Sequence, residues 1–423
     1  MRYRTAETDI AAPGAIGSPP GPSNDRLVVL DAIRGVALLG VLLVHTNEFA
    51  ARTGTLVSGV LLWPWLDRWV DYFVLVLLSG KAQTLFTVMF GISFAIQMER
   101  LHAHYGSDAQ RIYARRLVGL LAIAAANLIL LPIGDILHEY ALAGFVLLLT
   151  WRWSATAMIA AGLLLSIAAR PSARALLFPI VPVHLDSAAA GAAPAVANAG
   201  LDSVNQTGSY VEIITHHLGT VWFVDNLAWG LLGLLPYVFG RFLLGTALVR
   251  TGVVTSPDRH RALLRRLAWL GIPLGIGLPV AAWTARSAEP TLDLGIAQLL
   301  QVATTYAVHA GTVVLGVAYL AAMLLAWSHR PLRSALAVFA PVGRMAVTNY
   351  LALATFNSFV FFGFGLQLLG RIGSAACFGI ALVFFALQIA FSTWWLRRFR
   401  FGPVEWLWRA WTYRRWPAWR SAG

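Results

Sequence analysis

Long apolar runs separated by short polar or basic stretches dominate the chain. By hydropathy they fall near 27–46, 83–98, 117–133, 140–151, 156–169, 222–249, 267–285, 294–327, 346–362 and 373–396. A helix needs about 20 apolar residues to cross a bilayer core. The pattern therefore predicts an all-α fold, a polytopic transmembrane helix bundle of about ten spans. A membrane β-barrel would show weak alternation in segments of about ten residues instead. Some runs are irregular. The stretches 222–249 and 294–327 exceed the hydrocarbon thickness and predict tilt or extension beyond it, whereas 140–151 and 156–169 are short. Residues 57–79 mix Trp63, Trp65 and Trp69 with Asp67, Arg68 and Asp71. They predict a helix lying in the outer interface, or a further short span.

Composition agrees with a membrane class. Hydrophobic residues make up 58% and charged residues 12%, against roughly a quarter charged in soluble domains. Mean hydropathy is +0.68. The net charge of +13 would suit a nucleic-acid partner, but its distribution argues against one. With the N-terminus inside, 22 of the 32 Lys and Arg residues fall on inside segments. That asymmetry predicts both termini cytoplasmic.

Residues 1–25, rich in Pro, Gly and Ala, read as a disordered cytoplasmic lead, with the first span as insertion signal. Two membrane halves, 26–183 and 219–413, then flank a 184–218 extracytoplasmic loop. The loop holds a low-complexity stretch at 188–200 and reads as a mobile linker. Residues 414–423 form a basic, Trp-rich tail. The whole stretch from Arg397 to Arg420 is expected to anchor on the cytoplasmic lipid surface, with Glu405 pairing a neighbouring Arg. The single cysteine, Cys377, leaves no intrachain disulfide. No His-Glu-x-x-His, phosphate loop, nucleophile elbow or Cys pair is present, which argues against zinc proteolysis and nucleotide hydrolysis. No metal site and no bound cofactor are expected.

Charges inside apolar runs carry the candidate chemistry. A charge at mid-bilayer costs about 2.5 to 3.5 kcal/mol, so it normally faces a partner or a polar cavity. The first span holds Asp31, Arg34 and His45. Arg34 and His45 are eleven residues apart, within about 20° of each other and roughly 16 Å along the axis. One polar stripe thus runs down this helix; the alternative is a structural Asp31–Arg34 pair with His45 at the interface. Lys81 is the only lysine in the chain, and follows Gly80. A compact ammonium there differs from the planar guanidinium used elsewhere. The short turn before the fourth span carries Asp135, His138 and Glu139, either as a site or as a solvated loop. Glycines at Gly240–Gly245 and Gly271–Gly275 are candidate helix-packing positions.

The C-terminal third reads Val342-Gly343-Arg344-Met345-Ala346-Val347-Thr348-Asn349-Tyr350, then Phe362-Gly363-Phe364-Gly365, then Arg400-Phe401-Gly402-Pro403-Val404-Glu405-Trp406-Leu407-Trp408-Arg409. These stretches resemble the YeiB family of bacterial inner-membrane proteins, with its C-terminal domain of unknown function. Gly80-Lys81, the Leu85-Phe86 to Phe90-Gly91 stretch and the Gly134-Asp135-Ile136-Leu137 turn match that family too. The resemblance runs from Arg26 to about Tyr413 and implies a multi-pass protein of the bacterial inner membrane. Where the family continues with Leu-Gln-Ser, this chain has Ala352, Leu353 and Ala354. The opening Leu30-Asp31-x-x-Arg34-Gly35 is also similar to two families of transmembrane acyltransferases, the heparan-glucosaminide N-acetyltransferase-like and the glycan O-acyltransferase families. In the latter a His required for activity follows the Arg by eleven residues. His45 stands at that spacing, where YeiB relatives often carry Asn.

Two functions follow as expectations. In the first, an acyl group passes from a cytoplasmic acyl-CoA co-substrate to a glycan or small-molecule acceptor, at a hydroxyl or amine outside. His45 is then the general base and Glu48, one turn on, fixes its tautomer. Asp31, Arg34, Lys81, Asp135, His138, Glu139, Arg344 and Asn349 form the candidate substrate-binding set. In the second, the same charges line a path for a small polar solute through a transporter or exporter. Membrane lipid is the expected partner in both, and a purely structural membrane role comes third.

Overall fold

The computed structural model describes residues 24–50, 63–133, 135–177, 199–218, 230–287 and 293–420. The predicted lead up to residue 23, positions 57–62, Gly134, the low-complexity stretch 188–198, the start of the run 222–249 and the last three residues of the tail lie outside that set. Among the described residues all regular structure is helical, and the one extended contact is an isolated bridge between Phe399 and Arg420.

The apolar runs become α1 (Asn24–Glu48), α3 (Lys81–Tyr105), α4 (Ala109–Leu130), α5 (Leu137–Leu149), α6 (Ala155–Leu177), α9 (Leu235–Arg250), α10 (Arg261–Arg286), α11 (Leu294–Ala326), α14 (Ala346–Phe361) and α15 (Ser374–Leu396). Between them lie α2 (Pro64–Phe73), α7 (Ala199–Thr207), α8 (Tyr210–His216), α12 (Arg330–Ala337), α13 (Ala340–Arg344) and α16 (Pro403–Tyr413). Among the described residues seven segments are long and apolar enough to cross a membrane. One of them, Pro64–Leu130, contains both α3 and α4, joined through a 3-10 turn at Gly106–Asp108. Helices α5 and α14 are apolar but shorter. The outer surface of the long helices carries exposed Trp269 and Leu270 on α10, Leu299 on α11, and Val383 and Leu387 on α15. Such side chains belong in lipid, where leaving them uncovered costs nothing. The chain is a multi-pass helical membrane protein.

Lipid gives helices little hydrophobic reason to associate, so close backbone approach matters more. The tightest crossing joins α1 to α13: a Cβ on Gly343 would lie 1.8 Å from the Asp31 carbonyl oxygen. At the crossing of α3 and α9, a Cβ on Gly245 would sit 2.2 Å from the Val88 carbonyl oxygen. The glycine spacings anticipated from sequence are packing positions: Gly240 abuts Ser166 of α6, while Gly271 and Gly275 abut Ala318 and Leu315 of α11. Phe90, Tyr140 and Phe242 close the centre, with ring centroids 4.4 to 5.5 Å apart.

Helix α2 is amphipathic in the sense expected next to lipid. Trp65, Trp69 and Tyr72 are exposed, while Asp67 is buried against the start of α15. There Asp67 accepts from the Ala375 N–H at 2.8 Å and so caps that helix, while Asp71 accepts from the Ser374 hydroxyl at 2.6 Å. A one-turn π-helix, Val74–Leu78, leads to Gly80, whose φ of +72° reverses the chain into α3.

Two expectations need correction. The second half of the 184–218 loop does not behave as a mobile linker. Ser209 and Glu212 form a capping box for α8, and Ile213 is buried with Ala50 and Phe361. Gly363 N–H donates to the Asn205 carbonyl at 2.7 Å, tying this segment to the bundle. Nor does Glu405 pair with an arginine. Its carboxylate accepts from Val347 N–H at 2.8 Å, Thr348 N–H at 3.0 Å and the Thr348 hydroxyl at 2.5 Å. The unpaired N–H groups at the start of α14 attract a carboxylate more strongly than a solvated guanidinium does.

Candidate functional site

The first span brings polar groups to its two ends, and each end acquires partners from other helices. At the far end His45 Nδ1 lies 3.1 Å from Glu48 Oε2, one helical turn away. Both side chains stay accessible, at 38% and 44%. The adjoining residues hold this end in place: Thr46 Oγ1 donates to Asn357 Oδ1 at 3.1 Å, and Asn47 Nδ2 to Asp71 Oδ1 at 3.1 Å. With Glu48 taking the Nδ1 proton, Nε2 is left as the imidazole atom able to receive one.

At the other end Arg34 bonds Asp31 and donates to Ser93 Oγ of α3 at 2.6 Å. The Asp31–Arg34 pair is formed, and Ser93 is a partner the sequence did not single out. Arg344 is close in the chain to the α1–α13 crossing, but its guanidinium donates to the Arg400 carbonyl at 3.0 Å. Asn349 is fully engaged in packing: its Nδ2 serves the carbonyls of Val342 and Met345 and the Ser392 hydroxyl, all at 3.0 to 3.2 Å.

The turn before α5 forms a buried cluster. Asp135 Oδ1 accepts from Asn127 Nδ2 at 3.1 Å, and Oδ2 from the His138 N–H at 3.0 Å, so Asp135 also caps α5. His138 then stands between two carboxylates, with Nδ1 3.4 Å from Asp135 and Nε2 3.0 Å from Glu139. Ile136 N–H donates to the Tyr350 hydroxyl at 3.3 Å. One imidazole bridging two buried acids is an arrangement able to hold or pass a proton.

Deeper in the bundle lies a charged group outside the candidate set. Arg241 is fully buried, stacked over the Tyr237 ring at 3.3 Å. Its Nε donates to Thr84 Oγ1 at 2.9 Å and its Nη1 to the Tyr237 carbonyl at 3.2 Å, while Nη2 has no partner among the described residues. Thr87, one turn beyond Thr84, shares a 2.5 Å hydrogen bond with the Tyr140 hydroxyl. Lys81, one turn before Thr84, is buried and donates to the Leu75 carbonyl at 2.9 Å. Lys81, Thr84 and Thr87 recur every three residues on one face of α3, a polar stripe legible in the sequence, although its partner Arg241 on α9 is not.

The structure thus places the candidate residues in three groups: His45 with Glu48, Asp135 with His138 and Glu139, and Asp31 with Arg34. It links Arg344 and Asn349 to packing contacts and Lys81 to the polar face of α3. Among the described residues no set of three His, Cys, Asp or Glu side chains is placed to hold a metal ion.

Fold and site together define a polytopic helical membrane protein with ionisable groups inside the bundle. The family described as "Protein of unknown function (DUF418)" matches residues 248–415. The chain belongs to this family, in agreement with the YeiB resemblance. It is 31% identical to "Uncharacterized protein YxaH" of Bacillus subtilis (strain 168), over 94% of this chain and 96% of that one. It is 27% identical to "Uncharacterized protein YeiB" of Escherichia coli (strain K12), over 92% and 97%. No solved structure matches.

Proposed function

We propose that this protein is a transmembrane acyltransferase of the bacterial inner membrane. In this reading ten helices cross the bilayer (α1, α3 to α6, α9 to α11, α14 and α15), both termini are cytoplasmic, and His45 opens to the outer side. The observation that carries the reading is the His45–Glu48 pair, 3.1 Å apart and accessible at the end of a mostly apolar helix. A carboxylate on Nδ1 supports the tautomer whose Nε2 accepts a proton.

The chemistry balances without a further reactant. The acceptor hydroxyl or amine loses its proton to His45 Nε2 as it attacks the thioester carbonyl of acyl-CoA. The carbon–sulfur bond then breaks, and the thiolate leaves with the proton that His45 returns. Arg34, held by Asp31 and Ser93, lies on the donor side and offers a guanidinium to phosphate. Incubating purified protein with labelled acetyl-CoA and a panel of hydroxyl and amine acceptors tests the reading: label on an acceptor supports it, and thioester left intact with every acceptor counts against it. Export-dependent reporter fusions test the orientation, which requires activity within 199–218 and silence after Tyr413.

A second reading rests on Arg241 and Glu139. Ionisable groups this deep in a span commonly mark a solute or proton path. Solute flux into proteoliposomes without any acyl transfer would favour a transporter.

A further inference from the structure

The end of the bundle opposite His45 carries a cleft of about 500 Å³ between α4, α16 and the chain that follows α16. Arg115, Leu407, Trp411, Arg414, Arg415 and Trp416 line it. Three arginines are therefore among its lining residues, and among the described residues no carboxylate lines it. None of the ion pairs among the described residues includes Arg115, Arg414 or Arg415. The Nε of Arg115 is buried and has no hydrogen-bond partner.

The cleft is built by specific contacts rather than by a loose tail. Trp411 Nε1 donates to the Arg115 carbonyl at 3.0 Å, and Trp408 Nε1 to the Arg116 carbonyl at 2.7 Å, which lays α16 against α4. Arg414 ends α16 with φ at +53°, a conformation that costs a side-chain-bearing residue about 1 to 3 kcal/mol. That turn sends the chain back over the helix, so that Trp416 packs on Trp406 with ring centroids 4.8 Å apart.

Positive charge also accumulates behind the cleft. Arg116 lies 3.7 Å over the Trp408 ring and Arg409 4.5 Å over Phe401. Burial, and then the charges of Arg116, Arg344 and Arg400, lower the pKa of Arg409. Three nearby carboxylates are committed elsewhere: Asp31 to Arg34, Glu405 to the start of α14, and Asp108 to Arg111. Arginines brought together against their mutual repulsion, with no acid between them, call for an anion from outside the chain.

We propose that this cleft is a binding site for the headgroup phosphate of an anionic phospholipid. Guanidinium groups match phosphate oxygens in bidentate geometry. The apolar remainder of the lining, Leu407 and Ala410 with the two indoles, suits the glycerol and first methylenes of a lipid. A small inorganic anion would leave that surface uncovered. Trp and Arg side by side also mark the level of the membrane interface, where a headgroup is already present. The site is independent of whether the protein transfers acyl groups.

The test uses the full-length protein in neutral detergent, titrated with phosphatidylglycerol or phosphatidylcholine and read by native mass spectrometry. Phosphatidylglycerol should bind with defined stoichiometry and phosphatidylcholine should not. The double change Arg115→Gln with Arg415→Gln should weaken phosphatidylglycerol binding by about 10-fold or more, as expected for loss of charge-assisted hydrogen bonds. Arg415→Glu alone, at an exposed position that leaves the packing intact, should do the same. The control Arg397→Gln with Arg398→Gln removes equal charge nearby and should leave binding unchanged. Equal weakening by that control would mean a diffuse basic surface and overturn the site. Displacement of the lipid by coenzyme A at comparable concentration would assign the cleft to a soluble phosphate ligand instead, and would equally overturn the proposal.

Discussion

The two ends of the bundle are chemically opposite. One gathers imidazoles and carboxylates: His45 with Glu48, His138 between Asp135 and Glu139, and Asp67 and Asp71 at the start of α15. The other gathers arginine and tryptophan: Arg34, Arg115, Arg116, Arg344 and Arg409 around α16. Imidazole changes protonation near neutral pH, whereas guanidinium does not. The first end is therefore the one chemically suited to proton transfer, and the second to holding anions. The positive-inside rule alone explains an excess of arginine, but not its stacking on indoles or its convergence in a cleft.

The sharpest way to break that comparison is at His45. Under the acyl-transfer reading, His45→Ala should lower turnover by about 100- to 10,000-fold, the usual worth of a positioned acid–base group. His45→Asn should fall as far, because an amide hydrogen-bonds but does not accept a proton at neutral pH. Steady-state transfer from labelled acetyl-CoA measures both. Full activity in His45→Asn would remove the proton-transfer role from this end.

The opposite end should respond differently. Arg34→Ala leaves Asp31 without its partner beside the crossing of α1 and α13, and deletes the bond to Ser93. Because the pair is partly exposed, the cost to stability should be about 1 to 3 kcal/mol, smaller than for a fully buried pair. Under the acyl-transfer reading KM for the donor should rise more than kcat falls. A kcat loss as deep as that of His45→Ala, at unchanged KM, would erase the distinction between the two ends.

Glu405→Ala probes a structural link within the arginine end. It strips the cap from α14 and leaves the N–H groups of Val347 and Thr348 unserved, so the melting temperature in detergent should fall by an amount equivalent to about 1 to 2 kcal/mol. Glu405→Gln should fall less, since the amide oxygen still accepts while the interaction with the helix dipole is lost.

What the sequence made legible follows from how local each contact is. His45 with Glu48 and Asp31 with Arg34 are three residues apart on one helix, so helical spacing alone pairs them. The apolar runs announce their helices for the same reason. Arg241 with Thr84 spans 157 positions and Glu405 with Thr348 spans 57. No local period encodes those, and they depend on which helices become neighbours. The capping box of Ser209 and Glu212 was readable, as a Ser followed three residues later by Glu. Its position beside an Ala-, Gly- and Pro-rich stretch drew the segment into the linker instead.

The smallest expected effect concerns that same segment. His217 lies against Phe362, with Nε2 3.2 Å from Asn205 Oδ1, and its pKa is pushed down to about 4 by burial and then by the neighbouring His216. The folded state therefore holds His217 neutral, whereas the unfolded segment titrates near 6.5. Between those values the unfolded form binds more protons, so the packing of 203–217 is fully supported above about pH 6.5 and progressively lost as pH falls toward about 4. Hydrogen exchange across α8 should show protection declining over that window in the native protein. In His217→Gln the decline should flatten, because the amide keeps a hydrogen-bonding end without a titrating proton. An unchanged acid profile in that variant would place the sensitivity on another group, and the comparison of the two ends would lose its mildest pH marker.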